Sequence, residues 1–228
     1  PGWAGYLTAR SIDSPLGLSG LPRLDLRTSS AEELVDVLGV DERQAEALLE
    51  YGSTENATLG ALLTVELGEL IGAPAQSTGR STGRSRNQAN NDGPEPVTPL
   101  SDDQLRAVFA ECTVTDFSGP YPPAGRVNLN TAGPEVLRIL FEGDSGIADS
   151  IMALRQSRTE GITSIVDLLD VRRIAPETLT GLESQLDVTG WTFSVSSRGT
   201  SKNGQVVEIQ AVLDRSNLPV RILAYRED

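Results

Sequence analysis

The chain has 228 residues, enough to bury a hydrophobic core in one large domain or in two small ones. Its formal net charge of −13 argues against a nucleic-acid backbone or an anionic membrane surface as the main partner. There is no histidine and a single cysteine, Cys112, so an intramolecular disulfide and a cysteine-rich metal site are excluded and the commonest general base is missing.

Residues 1–22 are rich in glycine, proline and serine. We predict an extended segment with one short strand at 6–11 that joins the sheet region. The sequence begins with Pro1 and not with methionine, so we interpret it as a fragment or a processed form. No apolar run approaches the ~20 residues that a membrane-spanning helix needs.

Helical periodicity predicts a helical domain over residues 23–187. Ser29 and Glu32 have the spacing of a capping box in front of the first helix. Gly39 is expected to end that helix, because glycine adopts the left-handed conformation of a helix C-terminus without strain. Asp41 is placed to cap the second helix.

Leucine spacing over residues 58–71 predicts a third amphipathic helix, and a further helix over 100–110 is expected to be capped near Ser101. Between them, residues 76–98 carry serine, threonine, arginine and asparagine but almost no large apolar side chains. Such a stretch cannot bury enough surface to offset the entropy lost on ordering, so we predict a mobile loop.

The segment 125–141 has the layout of an earlier segment, 23–34. In the later segment an alternating stretch is followed by Thr131, which is expected to cap a helix, and by Pro134 in the first helical turn. We therefore predict one helical hairpin unit that occurs twice, of the helix-hairpin-helix kind. The matched pairs are Arg23 with Arg126, Leu24 with Val127, Leu26 with Leu129, Thr28 with Thr131 and Glu32 with Glu135.

The partner helix of the second hairpin is predicted at 147–155, and another helical pair at 162–169 and 176–186. At residue 188 the apolar period changes from helical to alternating. Residues 188–228 are therefore predicted to form an antiparallel meander that needs a helix on one face. Its three strands are expected at 191–197, 205–214 and 220–226, which makes the predicted fold class α+β.

The sequence offers little for catalysis. Lys202 is the only lysine, and without histidine a serine nucleophile would need an unusual base. We assign no catalytic or cofactor-binding residue and predict that the protein is not an enzyme. The nearest approach to a metal cluster is Glu142, Asp144 and Asp149. Calcium prefers such oxygen ligands, but helix capping explains these residues equally well, so the metal ligands stay unassigned.

Paired helix-hairpin-helix modules can also bind DNA through the backbone amides of their turns and nearby basic side chains. Here Asp41 and Asp144 place a carboxylate in each turn, where it would repel a phosphate. The second hairpin unit carries some positive charge, from Arg155, Arg158, Arg172 and Arg173. A DNA-binding protein of the DNA-uptake type therefore remains the alternative, with nucleic acid as the less favoured partner.

Several segments together resemble the type II secretion system protein K family, the large minor pseudopilins of the general secretion pathway. The segments are Arg126–Leu137, Ile162–Leu169, Trp191–Gly199, Glu208–Arg215 and Pro219–Leu223. The resemblance extends over residues 97–228 and, more loosely, over residues 1–72.

The resemblance implies a pseudopilin-type sheet covered by a long N-terminal helix, half of it in the membrane, with a helical domain inserted into the fold. It also implies a place at the tip of the pseudopilus, on the periplasmic face of the bacterial inner membrane. Two other minor pseudopilins would be the partners, and some members bind calcium. The N-terminal helix is not in this sequence, no calcium motif can be placed on it, and the loop 76–98 is not a family feature. We predict a non-enzymatic tip or initiation subunit.

Overall fold

The structure of the protein is a computed structural model that describes residues 13–73, 96–119, 123–216 and 219–227. The strand predicted at 6–11 and most of the loop predicted at 76–98 lie outside these residues. The fold is α+β, as predicted.

The chain forms two compact units. We call residues 23–115 and 166–183 the helical unit, and residues 1–22, 116–165 and 184–228 the sheet unit. The domain boundaries predicted after residues 22 and 187 stay a prediction.

The helical unit begins with a short strand and ends with a returning helix. Its core consists of side chains that are at most 1% exposed, namely Leu34, Leu48, Leu67, Val108 and Leu179. The elements are β1 (Leu24–Asp25), α1 (Ala31–Leu38), α2 (Glu42–Gly52), a 3₁₀ helix (Leu59–Leu63), α3 (Leu67–Leu70), α4 (Asp102–Glu111), β2 (Cys112–Thr113) and α7 (Pro176–Leu182). Two further 3₁₀ helices, Ile165–Asp170 and Glu183–Gln185, lie where the chain passes between units.

Helix α1 is capped one residue later than the sequence suggested. The Glu33 N–H donates to Ser30 Oγ at 3.3 Å, and the Ser30 N–H donates to Glu33 Oε2 at 2.9 Å. The capping box predicted at Ser29 and Glu32 is therefore wrong by one position. The physical reason is that the Ser29 N–H already donates to the carbonyl oxygen of Asp25, at 2.9 Å, in the turn after β1.

The other predicted caps of this unit are confirmed. Gly39 ends α1 in the left-handed region, with φ of 64°. The Gln44 N–H donates to Asp41 Oδ1 at 2.7 Å at the start of α2. Ser101 caps α4, where its Oγ accepts from the Gln104 N–H at 3.3 Å.

The single helix predicted at 58–71 is wrong, because two short helices occupy this stretch. The Thr180 hydroxyl donates to the carbonyl oxygen of Gly60 at 2.9 Å, an acceptor that an α-helix would offer to Thr64. The Thr64 N–H donates to Ala61 instead, at 3.1 Å. The loop predicted at 76–98 also ends too late, since Val97 is only 3% exposed.

The sheet unit contains a second set of short strands and helices, followed by a larger sheet. The elements are β3 (Val127–Asn128), α5 (Pro134–Leu140), α6 (Ser145–Ser157), β4 (Leu186–Asp187), β5 (Thr192–Thr200), β6 (Val206–Asp214) and β7 (Arg221–Glu227). Buried residues of this unit include Leu129, Leu137, Ile151 and Leu186, each at most 1% exposed.

Pro134 is the first residue of α5, as predicted, but Thr131 does not cap that helix. The N-cap is Gly133, without a side-chain hydrogen bond. The Thr131 N–H donates to the carbonyl oxygen of Asn128 at 3.2 Å, so Thr131 belongs to the turn after β3. The helices predicted at 162–169 and 176–186 are shorter than expected, since the first is a 3₁₀ helix and the second ends at Leu182.

Strands β5, β6 and β7 form one antiparallel sheet in that order, which confirms the predicted meander. Opposite residues share a face, and the alternating pattern places many of the apolar side chains of the three strands on one face. We call one face the apolar sheet face; it carries Phe193, Val195, Val207, Ile209, Ala211, Leu213 and Tyr225. Two polar residues, Ser197 and Glu227, lie on the same face opposite Ile209. The opposite face carries Ser194, Ser196, Arg198, Glu208 and Gln210, together with the apolar residues Val206, Val212 and Ala224.

Candidate functional site

The loops that follow β1 and β3 have the same hydrogen bonds, in one unit each. Asp25 Oδ1 accepts from the Arg27 N–H at 3.0 Å, and Asn128 Oδ1 accepts from the Asn130 N–H at 2.8 Å. The backbone carbonyl oxygens of Asp25 and Asn128 each accept hydrogen bonds from two further N–H groups of the loop. These are turns in which a short side chain replaces a backbone acceptor. The two segments matched in sequence therefore share a local structure.

Each of these loops also continues a parallel pairing. Strand β1 pairs with β2, and β3 pairs with β4. The next residue extends both ladders, because the Leu26 N–H donates to Thr113 O at 3.0 Å and the Leu129 N–H donates to Asp187 O at 2.9 Å. Both leucines are completely buried. The pairing brings residues far apart in the chain together around each loop.

Asn130 holds three backbone segments of the sheet unit together. Its Nδ2 donates to the carbonyl oxygens of Ile162 and Val188, both at 2.8 Å, and its Oδ1 accepts from the Ile162 N–H at 2.8 Å. A Cβ on Gly161 would lie 2.6 Å from Asn130 Oδ1, and Gly161 has φ of +73°. The carboxamide therefore has a structural role, and its hydrogen bonds are directed to the protein itself.

Arg155 was predicted to contribute positive charge, but its guanidinium has internal partners. Nη1 donates to the carbonyl oxygens of Ala132 at 2.8 Å and Leu129 at 3.3 Å. These contacts join the last turn of α6 to the loop after β3. Sequence reasoning missed this role, since its acceptors are backbone atoms more than twenty residues away.

The two acidic residues of the hairpin turns cap helices. Asp41 is the N-cap of α2, and Asp144 is the N-cap of α6. The Asp144 carboxylate accepts hydrogen bonds from the Gly146 N–H at 2.8 Å and from the Ile147 N–H at 3.2 Å. The backbone N–H groups that would hold a phosphate are therefore engaged by a carboxylate. Of the remaining predicted arginines, Arg172 and Arg173 are exposed and Arg158 is half-buried.

The structure does not gather the residues considered for a metal. Within the described ranges no group of three or more acidic, cysteine or histidine side chains is arranged to hold an ion. Asp144 is the helix cap of α6, and Glu142 lies in the turn before it with φ of 54°. Glu142, Asp144 and Asp149 therefore carry no metal assignment from the geometry.

Cys112 is the first residue of β2 and is completely buried. Burial raises the pKa of its thiol to about 12, with a smaller contribution from Glu111. A thiol that stays neutral and buried is a poor nucleophile. The residue therefore contributes to packing of the helical unit.

The apolar sheet face exposes several large apolar side chains to solvent. Phe193 is 40% exposed, Val195 46%, Val207 42% and Tyr225 57%. An antiparallel sheet normally covers one face with other elements, and a contiguous exposed apolar area marks an interaction surface. Residues that the sequence pattern placed on one strand face are thus brought together by the register of three strands.

In sequence, part of this chain matches a component of a protein secretion machinery. The family model is Type II secretion system (T2SS), protein K, and it matches residues 127–189, from β3 to just beyond β4. The match confirms the predicted resemblance over this segment. No curated protein and no solved structure is significantly similar to the chain. In the part of the chain that the structure describes, none of the helices has the length and apolar character needed to cross a membrane.

Proposed function

We propose that the protein is a minor pseudopilin of a type II secretion system, a non-enzymatic subunit at the tip of the pseudopilus. The observation that carries this proposal is the family match over residues 127–189, followed directly in the chain by the meander of β5, β6 and β7. A role at the periplasmic face of the inner membrane, with two other minor pseudopilins as partners, follows from the family resemblance.

The apolar sheet face supports a function through protein contacts. Its exposed phenylalanine, valine and tyrosine side chains share this face with two polar residues, Ser197 and Glu227. Covering them removes apolar area from water, which favours association. We propose that an amphipathic helix covers this face, as in the pseudopilin arrangement.

We also propose that the matched segments are helix-hairpin-helix-like units that serve as protein bulk and not as DNA-binding modules. Asp41 and Asp144 occupy the turns, and Arg155 donates to backbone carbonyl oxygens. Acidic turns on a chain of charge −13 oppose contact with phosphates.

The test is co-purification with the other minor pseudopilins of the same secretion system. We expect a stable complex, and Val195→Asp should weaken it at least about tenfold because a charge on an apolar contact must be desolvated. Ser196→Asp, the neighbouring residue on the polar face, is the matched control and should have no effect. Failure of the unmodified chain to form any complex would contradict the pseudopilin proposal. Equal effects of both variants would contradict only the assignment of the face.

Titration of the protein with a DNA duplex distinguishes the pseudopilin proposal from the alternative DNA-binding function. We expect no saturable DNA binding at about 20 mM salt, where electrostatic attraction is weakly screened. Binding that falls steeply with salt and is lost in Arg172→Glu plus Arg173→Glu would favour a DNA-binding protein instead. Arg155 is unsuitable for this test, since its replacement would disturb the fold.

A further inference from the structure

The sheet unit encloses a cavity of about 150 Å³ at the end of the sheet where β5 begins and β6 ends. Among the described residues its lining combines two carboxylates, three hydroxyls and two aromatic rings, namely Asp13, Asp214, Ser14, Thr192, Ser216, Phe117 and Trp191. The volume suits the end of one side chain or a very small molecule. The lining contains several hydrogen-bond acceptors, so it favours an occupant that donates hydrogen bonds.

The two carboxylates differ in their partners. Asp13 is 5% exposed and is paired with Arg126, whose Nε donates to its Oδ2 at 3.0 Å. Asp214 is 6% exposed, and its Oδ1 accepts from the Ser216 N–H at 2.8 Å. Within the described part of the chain, no basic group forms an ion pair with Asp214.

Asp214 carries a negative charge at neutral pH. Hydrogen bonds from Ser216 lower the pKa of its carboxyl group, with a smaller contribution from the charge of Arg221. A buried ionised carboxylate normally has a charged partner, because taking it out of water is costly. The cavity beside Asp214 provides space for such a charged partner.

The aromatic residues add a second preference for a cation. Trp191 and Phe117 line the same cavity, and the faces of such rings attract an ammonium group. The Trp191 Nε1–H is also buried and has no hydrogen-bond partner among the described residues. An ammonium group has no acceptor for this N–H, so the indole reports on the site and does not bind the cation.

We propose that this cavity binds a primary ammonium group, with the carboxylate of Asp214 as its counter-ion and the rings of Trp191 and Phe117 as its walls. The ammonium donates hydrogen bonds to the carboxylate and to the serine hydroxyl oxygens. Either a lysine side chain or the free amino terminus of a peptide supplies this chemistry.

The site is tested by nuclear magnetic resonance on the full chain with Trp3→Phe, which leaves Trp191 as the only indole. N-acetyl-lysine amide represents the side chain, glycinamide the amino terminus, and N-acetyl-norleucine amide the uncharged analogue. We expect a saturable shift of the indole N–H signal with one of the two charged probes and none with the uncharged one. The probe that saturates identifies the source of the ammonium.

Asp214→Asn keeps the size of the side chain and should weaken binding at least about tenfold, because a charge-assisted hydrogen bond becomes a neutral one. Glu208→Gln, at another position of β6, removes the same charge and should leave binding unchanged. If Asp214→Asn fails to fold, Phe117→Leu should weaken binding without a change of charge. The proposal is overturned if neither charged probe saturates, or if the uncharged probe binds equally.

Discussion

Gly52, the last residue of α2, lies against Leu26 in the loop after β1. A Cβ on Gly52 would be 2.4 Å from the Leu26 Cβ and 2.6 Å from its carbonyl oxygen. In the matched segment the corresponding positions are Arg155 and Leu129, where Nη1 of the arginine donates to the leucine carbonyl oxygen at 3.3 Å. One unit therefore makes this helix-to-loop contact by close approach of the backbone, and the other makes it through a long side chain.

Gly52→Ala should destabilise the protein by about 1–3 kcal/mol, the usual cost of overpacking a buried contact. The added methyl group has no free space, since backbone as well as side-chain atoms of Leu26 oppose it. Gly181→Ala is the matched control, because a Cβ on this exposed glycine of α7 meets no atom within 4 Å. It should stabilise by about 0.5–1 kcal/mol through helix propensity. Chemical denaturation measures both, and equal effects would contradict the close approach.

Asn130→Ala should cost about 1–3 kcal/mol, because the carbonyl oxygens of Ile162 and Val188 and the Ile162 N–H would lose their partner. Asn203→Ala, in the exposed turn between β5 and β6, should change the free energy of unfolding by less than about 0.5 kcal/mol. The measurement is the urea midpoint of each variant. A similar small effect at both positions would show that the Asn130 hydrogen bonds contribute little.

Ser30→Ala should lower stability by about 1 kcal/mol, since it removes the side-chain acceptor of the α1 capping box. Ser29→Ala should have little effect, because only the backbone N–H of Ser29 takes part in the turn after β1. Thermal unfolding of the two variants shows which of the two adjacent serines caps α1. A larger loss for Ser29→Ala would restore the cap position suggested by the sequence.

Cys112 should make the stability of the chain fall at alkaline pH. Burial raises the pKa of its thiol to about 12 in the folded state, from an ordinary value of 9.0. Because the folded pKa is raised, this contribution is fully present below pH 9 and is lost as the pH rises toward the folded value, by up to about 1.4 kcal/mol per pH unit.

The measurement is the difference in unfolding free energy between the unmodified chain and Cys112→Ala at pH 8 and pH 10. This comparison cancels the titration of tyrosine and lysine, which both chains share. We expect the unmodified chain to lose more stability than the variant over this interval. Parallel losses would mean that the thiol ionises in the folded protein without penalty.

Features that depend on neighbouring residues could be predicted from the sequence. Asp41, Ser101 and Pro134 are correctly placed at helix starts, because a cap or a first-turn proline acts within three or four residues. The alternation after residue 188 also predicts the meander, since side chains of a strand point to opposite faces in turn. The apolar sheet face follows from the same pattern once the strands are in register.

Other features were decided by residues far away in the chain. Thr180 takes the carbonyl oxygen of Gly60 and so divides the predicted third helix. Asn130 and Arg155 look like polar surface residues in the sequence, but backbone groups distant in the chain become their hydrogen-bond partners. A buried polar group has to find such a partner, and its identity depends on which segments the tertiary structure brings together.

The cavity lined by Asp13 and Asp214 is the clearest example of a feature that could not be predicted from the sequence. Asp13 and Asp214 stand near opposite ends of the sequence, with no spacing that connects them. The sequence determined that each residue is acidic. The burial of the two carboxylates beside one cavity arises only from packing of the sheet unit. Charge and periodicity are local properties of a chain, whereas desolvation depends on every segment that excludes water from the same place.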